Sequence, residues 1–237
     1  MKRYWEVDAF RGIALFLMVI YHYIIVLDFF GISENLFNYR IYEDNFPPMF
    51  ALSFLFILGV SLTLSYNKSK DVNKTKYIKR GLKILFIGII ISIITYILFP
   101  SMFIYFGILH LIGISLILSP IFVDKKWLSL ITSFCIYVVS FFIREIFVSN
   151  RILSAIGFSS NIPTFDRHQL FPRLAMVLIG IFFGHILYPK GKRKFKLKRR
   201  LKVFYPFEVI GKNTLKIYLL HMPLFILILI ILGFNIL

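Results

Sequence analysis

The chain has 237 residues, 59% of them hydrophobic and 18% aromatic, with a mean hydropathy of +0.81 and a formal net charge of +17. An apolar excess arranged in long runs excludes an ordinary soluble domain and specifies an integral membrane protein, read as one membrane domain over residues 1–237. The positive charge gathers in alternate loops, which excludes a nucleic-acid surface because no soluble domain is left to carry one. It points instead to the anionic headgroups of membrane lipids.

Taken in order, the apolar runs predict an all-α membrane bundle of about seven transmembrane helices, near 9–30, 47–66, 80–99, 101–123, 127–148, 169–188 and 209–235. Each approaches the roughly 20 residues needed to cross a hydrocarbon core. The runs are continuous rather than alternating, so barrel strands are not expected. The first run is too long and too charged for a cleavable signal. Nineteen Lys and Arg fall in the N-terminal segment and the second, fourth and sixth loops, against three in the loops between. That asymmetry predicts a cytoplasmic N-terminus and an external C-terminus. Two external segments, 31–46 and 149–168, are long enough to suggest a lid or a vestibule. Cys135 is the single cysteine, so neither an intrachain disulfide nor a cysteine metal cluster is available. No phosphate loop, nucleophile elbow or HExxH zinc helix is present, and no metal is expected.

The ionisable residues inside the runs carry the chemistry, because each is costly in hydrocarbon and normally faces a protein interior or a wet cavity. Asp8, Arg11 and His22 lie on one stripe of the first run. Asp28 follows near its external end. His110 shares a face with Gly107 and Gly113. Thr214, Tyr218 and His221 are spaced i, i+4, i+7, just before Pro223. Asp166 and Arg173 flank the external start of the sixth run, where Arg173 is placed to pair with Asp28 or Asp166. A histidine takes and returns a proton near neutral pH, so His22 is the candidate base. Arg11 is about 16 Å away along the helix axis and cannot share an oxyanion with it. Asp8 and Arg11 are therefore assigned to the cytoplasmic mouth, where they would order an anionic donor or close a structural ion pair with each other. Asp28, His110, Asp166, Arg173, Tyr218 and His221 are assigned to the cavity walls.

Five blocks of sequence resemble one known family. They are Arg3–Ala14 with Met18 and His22, Phe56–Leu62, Phe106–Gly113, Leu170–Leu174 with Gly180 and Gly184, and Gly211–Pro223. In this order they are similar to the catalytic-domain family of heparan-α-glucosaminide N-acetyltransferase, a group of multi-pass membrane proteins. The first and last blocks also resemble larger membrane acyltransferases that O-acylate surface glycans. The resemblance implies transfer of an acyl group, most simply acetyl, from cytoplasmic acyl-CoA (acetyl-CoA) to a glycan or small-molecule acceptor across the cell membrane. It departs from the lysosomal enzyme in having no histidine in 31–46. Two readings from other classes use the same polar stripe: a non-enzymatic permease or lipid-handling protein, and a structural membrane subunit whose polar groups specify helix pairing. Apolar faces on the third and fifth runs would serve a homo-oligomer or packing within the monomer equally well.

Overall fold

A computed structural model describes residues 3–32, 39–68, 74–197 and 201–234. Among these residues the chain is all-helical, with two isolated bridges and no strand. The helices are α1 (Trp5–Phe29), α2 (Tyr39–Asn67), α3 (Thr75–Leu98), α4 (Ile108–Phe122), α5 (Lys126–Arg144), α6 (Arg151–Ile156), α7 (Leu170–Leu187), α8 (Tyr205–Lys212) and α9 (Thr214–Ile231). Six of them, α1, α2 from Met49, α3, α5, α7 and α9, are long and apolar enough to cross a membrane.

Three expected boundaries are corrected. The span expected at 101–123 is the 15-residue α4, about 22 Å long and short of a full crossing. Residues ahead of it are drawn out to pair with 164–168: Phe165 N–H donates to Met102 O (3.0 Å) and His168 N–H to Phe106 O (3.0 Å). The span expected at 209–235 is divided at Asn213 into α8 and α9. There the Asn213 amide donates to Val209 O (3.0 Å) and the Thr214 hydroxyl to Gly211 O (2.7 Å), which closes the end of α8. The loop expected at 31–46 is shorter, because α2 already runs from Tyr39. Glu34 falls outside the described residues, as do the side chains of Glu43 and Asp44. The segment 149–168 contains α6, whose N-terminus is capped by Asn150 Oδ1 accepting from Ile152 N–H (2.8 Å).

The chain forms two compact units. The first comprises residues 1–57 and 197–237. Here α8 lies along the first half of α1, with Gly12 against Phe207 O and Gly211 against Asp8 O. Further along, Val26 and Leu229 are buried together among Leu27, Phe30, Met222 and Phe225.

The second unit comprises residues 58–196. Its core is α4 and α7, with Leu111, Leu116, Val177, Leu178 and Ile181 almost wholly buried. The last turns of α2 join it through Thr63, whose hydroxyl donates to Ile181 O (3.1 Å). Helix α5 turns serines inward and rings outward. Ser129, Ser133 and Ser140 are buried and Ser133 donates to Ala175 O (2.9 Å), while Phe134, Phe141 and Phe142 are exposed. This inversion suits hydrocarbon, which gives apolar side chains no reason to hide and rewards close helix contact through small residues. The loops also sort by end. Lys74 Nζ reaches Asp124 Oδ2 and Pro120 O, both at 2.8 Å, and the backbone at Gly191 lies against Asn67 and Lys68. The three basic loops therefore gather at one end of this unit.

Candidate functional site

The expected site residues divide between the units. Asp8, Arg11, His22, Asp28, Tyr218 and His221 belong to the first; His110, Asp166 and Arg173 belong to the second.

In the first unit, α1 and α9 bring His22 and His221 together. Their rings stack with centroids 5.3 Å apart and planes 24° apart, and His22 Nδ1 lies 3.1 Å from His221 Nε2. The proton positions follow from the neighbours. His221 Nδ1 contacts the Tyr218 carbonyl one turn earlier, and a carbonyl only accepts, so that nitrogen carries hydrogen. In neutral His221 the lone pair is then on Nε2, which accepts from His22 Nδ1–H. The lone pair of neutral His22 is therefore on Nε2. The chain of donors runs from His22 through His221 to a backbone carbonyl that cannot move. Tyr218 packs beside His221 at 5.4 Å between ring centroids. Tyr23, which the sequence reading did not single out, stacks on Phe225 at 4.0 Å and donates its hydroxyl to His221 O (3.4 Å). Its position one residue after His22 hid it among many aromatic residues. His221 is buried and His22 half-buried.

Asp8 and Arg11 form an ion pair at 3.5 Å, and Arg11 Nη1 donates to Gly211 O (3.3 Å). Arg11 therefore ties α1 to the end of α8, with Asp8 as its ion-pair partner on the same helix. Asp8 Oδ2 is buried without a hydrogen bond among the described residues. Asp28 is exposed in the last turn of α1.

In the second unit, His110 is committed on both ring nitrogens. Its Nδ1 accepts from Gly107 N–H (3.2 Å), which leaves hydrogen on Nε2 of the neutral ring, facing Ser92 Oγ at 3.3 Å. Asp166 Oδ2 accepts from Ile108 N–H (3.0 Å), and its Oδ1 meets His168 Nε2 (3.0 Å). Together His110 and Asp166 satisfy the orphan amides at the start of α4, as a capping box does from within one chain segment. Arg173, in the first turn of α7, lies within electrostatic range of Asp166, Arg144 and Arg167.

The histidine pair is the chemically capable arrangement: an imidazole base with an oriented second imidazole behind it. It stands in two sequence blocks that the family comparison covers together. A description of the catalytic region of heparan-alpha-glucosaminide N-acetyltransferase matches residues 3–223, nearly the whole chain. No curated protein and no solved structure matches. A match of that extent over an all-helical membrane chain, with both imidazoles inside it, places the protein in the heparan-alpha-glucosaminide N-acetyltransferase catalytic family, a family of membrane acetyltransferases.

Proposed function

We propose that the chain transfers an acetyl group from acetyl-CoA to an amine or hydroxyl of a sugar-like acceptor, using His22 and His221. The observation that carries this reading is the His22 Nδ1 to His221 Nε2 contact at 3.1 Å. His22 Nε2 takes the proton of the acceptor group as that group attacks the thioester carbonyl. The carbon–sulfur bond breaks, and the CoA thiolate leaves and receives the proton. While His22 is charged, His221 Nε2 accepts from its Nδ1–H and stabilises the imidazolium, as an oriented second base does in other proton relays. Arg11 lies about 16 Å from His22 along α1. A long donor with anionic groups at Arg11 and a thioester at His22 is the shape that separation suits. The basic loops would face the cytoplasm, the source of acyl-CoA, in the plasma membrane, with the acceptor on the far side and anionic lipids around the loops.

The test is acetyl-CoA binding by calorimetry and acetyl transfer to glucosamine-ended acceptors, with purified folded protein. His22→Ala is expected to reduce transfer by about 10²–10⁴-fold while donor binding persists, and Arg11→Ala to weaken donor binding. Full transfer by His22→Ala would remove the base assignment. Saturable solute binding with no acetyl-CoA consumed would favour the permease reading.

A further inference from the structure

A helix loses a backbone hydrogen bond wherever proline enters its interior, because proline has no N–H and its ring presses on the carbonyl four residues earlier. Helix α9 carries Pro223 inside it. The carbonyl deprived of its helical amide is that of Leu219, so the turn from Leu219 to Pro223 is short of one rung. His221 lies in the middle of that turn. The ring that presents Nε2 to His22 Nδ1 at 3.1 Å therefore stands on a weakened stretch of its own helix.

Tyr23, on α1, holds α9 on both sides of Pro223. Before the proline, the Tyr23 hydroxyl donates to His221 O (3.4 Å). After it, the Tyr23 ring stacks on Phe225, with centroids 4.0 Å apart and planes 17° apart. The same ring lies 6.4 Å from that of His221, tilted by 32°. At 3.4 Å the hydrogen bond is a long one, and the stack is the stronger hold. Phe225 is in turn packed against the buried pair Val26 and Leu229, which anchors the stack further along both helices. Because Tyr23 follows His22 directly, one turn of α1 carries both the base and the group that grips its partner's helix.

We propose that Tyr23 is a positioning residue of the histidine pair: its ring and hydroxyl brace the proline-containing turn of α9, so that His221 Nε2 stays in line with His22 Nδ1–H. This rests on the reading of His22 as the base and His221 as its partner. A misplacement of about 1 Å in such a pair costs about 10²-fold in rate. The brace therefore acts on kcat and not on donor binding at Arg11, which lies in the first half of α1 against α8.

The experiment uses the full chain in nanodiscs, with ring-15N histidine read by solid-state NMR and acetyl transfer measured in parallel. His22→Ala and His221→Ala assign the two rings. Tyr23→Phe keeps the stack and Tyr23→Leu removes it; Tyr137→Phe, at an exposed position on α5, is the control. In the parent, Nδ1 of both histidines is expected to carry hydrogen and Nε2 none. Tyr23→Leu is expected to mix the tautomers at His22 and to lower kcat about 10²-fold with the KM for acetyl-CoA unchanged. Tyr23→Phe is expected to keep the parent tautomers and a rate within about tenfold of the parent, because it loses only the long hydrogen bond. The control leaves both readouts alone. A residue that only packed two helices would lower thermal stability without moving the tautomers or separating kcat from KM. If Tyr23→Leu fails to fold by size-exclusion chromatography, Phe225→Leu removes the same stack from α9 and decides by the same readouts. Parent tautomers and parent kcat without the stack overturn the proposal, and an inactive His22→Ala beside them leaves the acetyl-transfer reading standing. Mixed tautomers without the stack, in a protein that transfers no acetyl group at all, uphold the brace and remove that reading instead.

Discussion

His22 and His221 stand 199 residues apart in the chain and 3.1 Å apart in space. Two neutral imidazoles at that distance need one donor and one acceptor, and the Tyr218 carbonyl decides which is which. If the pair acts as a unit, its deletions are not additive. The double variant His22→Ala/His221→Ala is expected to be no slower than the slower single variant, measured as kcat for acetyl transfer. Additive losses would mean that the two rings serve separate steps. Each histidine is visible in the sequence as an ionisable group in an apolar run. Their union is not, because helical periodicity orders residues within one helix and says nothing about which face meets which neighbour. His110 shows the other side of this. It has the same sequence signature as His221, an imidazole on an apolar helix, yet its nitrogens are used to cap α4 and to meet Ser92.

Helices α1 and α8 approach so closely that backbone replaces side chain at the contact. A Cβ at Gly12 would run into Phe207 O, and one at Gly211 into Asp8 O. Neither obstacle is the flexible end of a side chain, so the helices themselves would have to part. Gly12→Ala and Gly211→Ala are each expected to destabilise by about 1–3 kcal/mol, the usual range for overpacking. Thermal unfolding of the purified protein would show it, and a shift within error would mean that α8 yields easily. Because Arg11 also donates to Gly211 O at this contact, loosening it is expected to disturb Arg11 as well. The extent of α4 is likewise decided at the level of elements. Its composition continues upstream as an apolar run, but residues 102–106 are claimed by pairing with 165–168.

For the molecule as a whole, charge placement is the strongest organising signal. Within the second unit the loops that carry the basic residues meet, through Lys74 with Asp124 and Gly191 with Asn67 and Lys68. Whether these loops face the cytoplasm, as the positive-inside rule predicts, is tested by labelling in a Cys135→Ser background. Asn161→Cys is expected to react with a membrane-impermeant maleimide in whole cells, and Lys194→Cys only after permeabilisation. The reverse pattern would invert the topology and, with it, the side from which a donor arrives. The Asp124 carboxyl adds a pH dependence. Burial pushes it up, but the hydrogen bond from Lys74, its own backbone amide and the charges of Lys74 and Lys125 outweigh that and hold it below the ordinary carboxylate value. A carboxyl lowered by folding stabilises the folded state above its unfolded pKa of about 4, and that stabilisation is lost as pH falls through the lower folded value. Lys74→Gln is therefore expected to unfold at a lower temperature than the parent at pH 7, with the gap closing towards pH 2. A gap independent of pH would assign the effect to the Lys74 contact with Pro120 O instead.

The sequence by itself determined the class of the molecule, its helices to within a few residues in most cases, the family it resembles and the residues that could bear chemistry. All of these rest on local quantities, the transfer cost of side chains and the periodicity of one helix. Only the tertiary structure decided that His221 is the partner of His22 and that His110 and Asp166 finish the start of α4. Those outcomes depend on which carbonyls and amides are left over when helices pack, and a leftover group is satisfied by whatever lies nearest in space rather than in sequence.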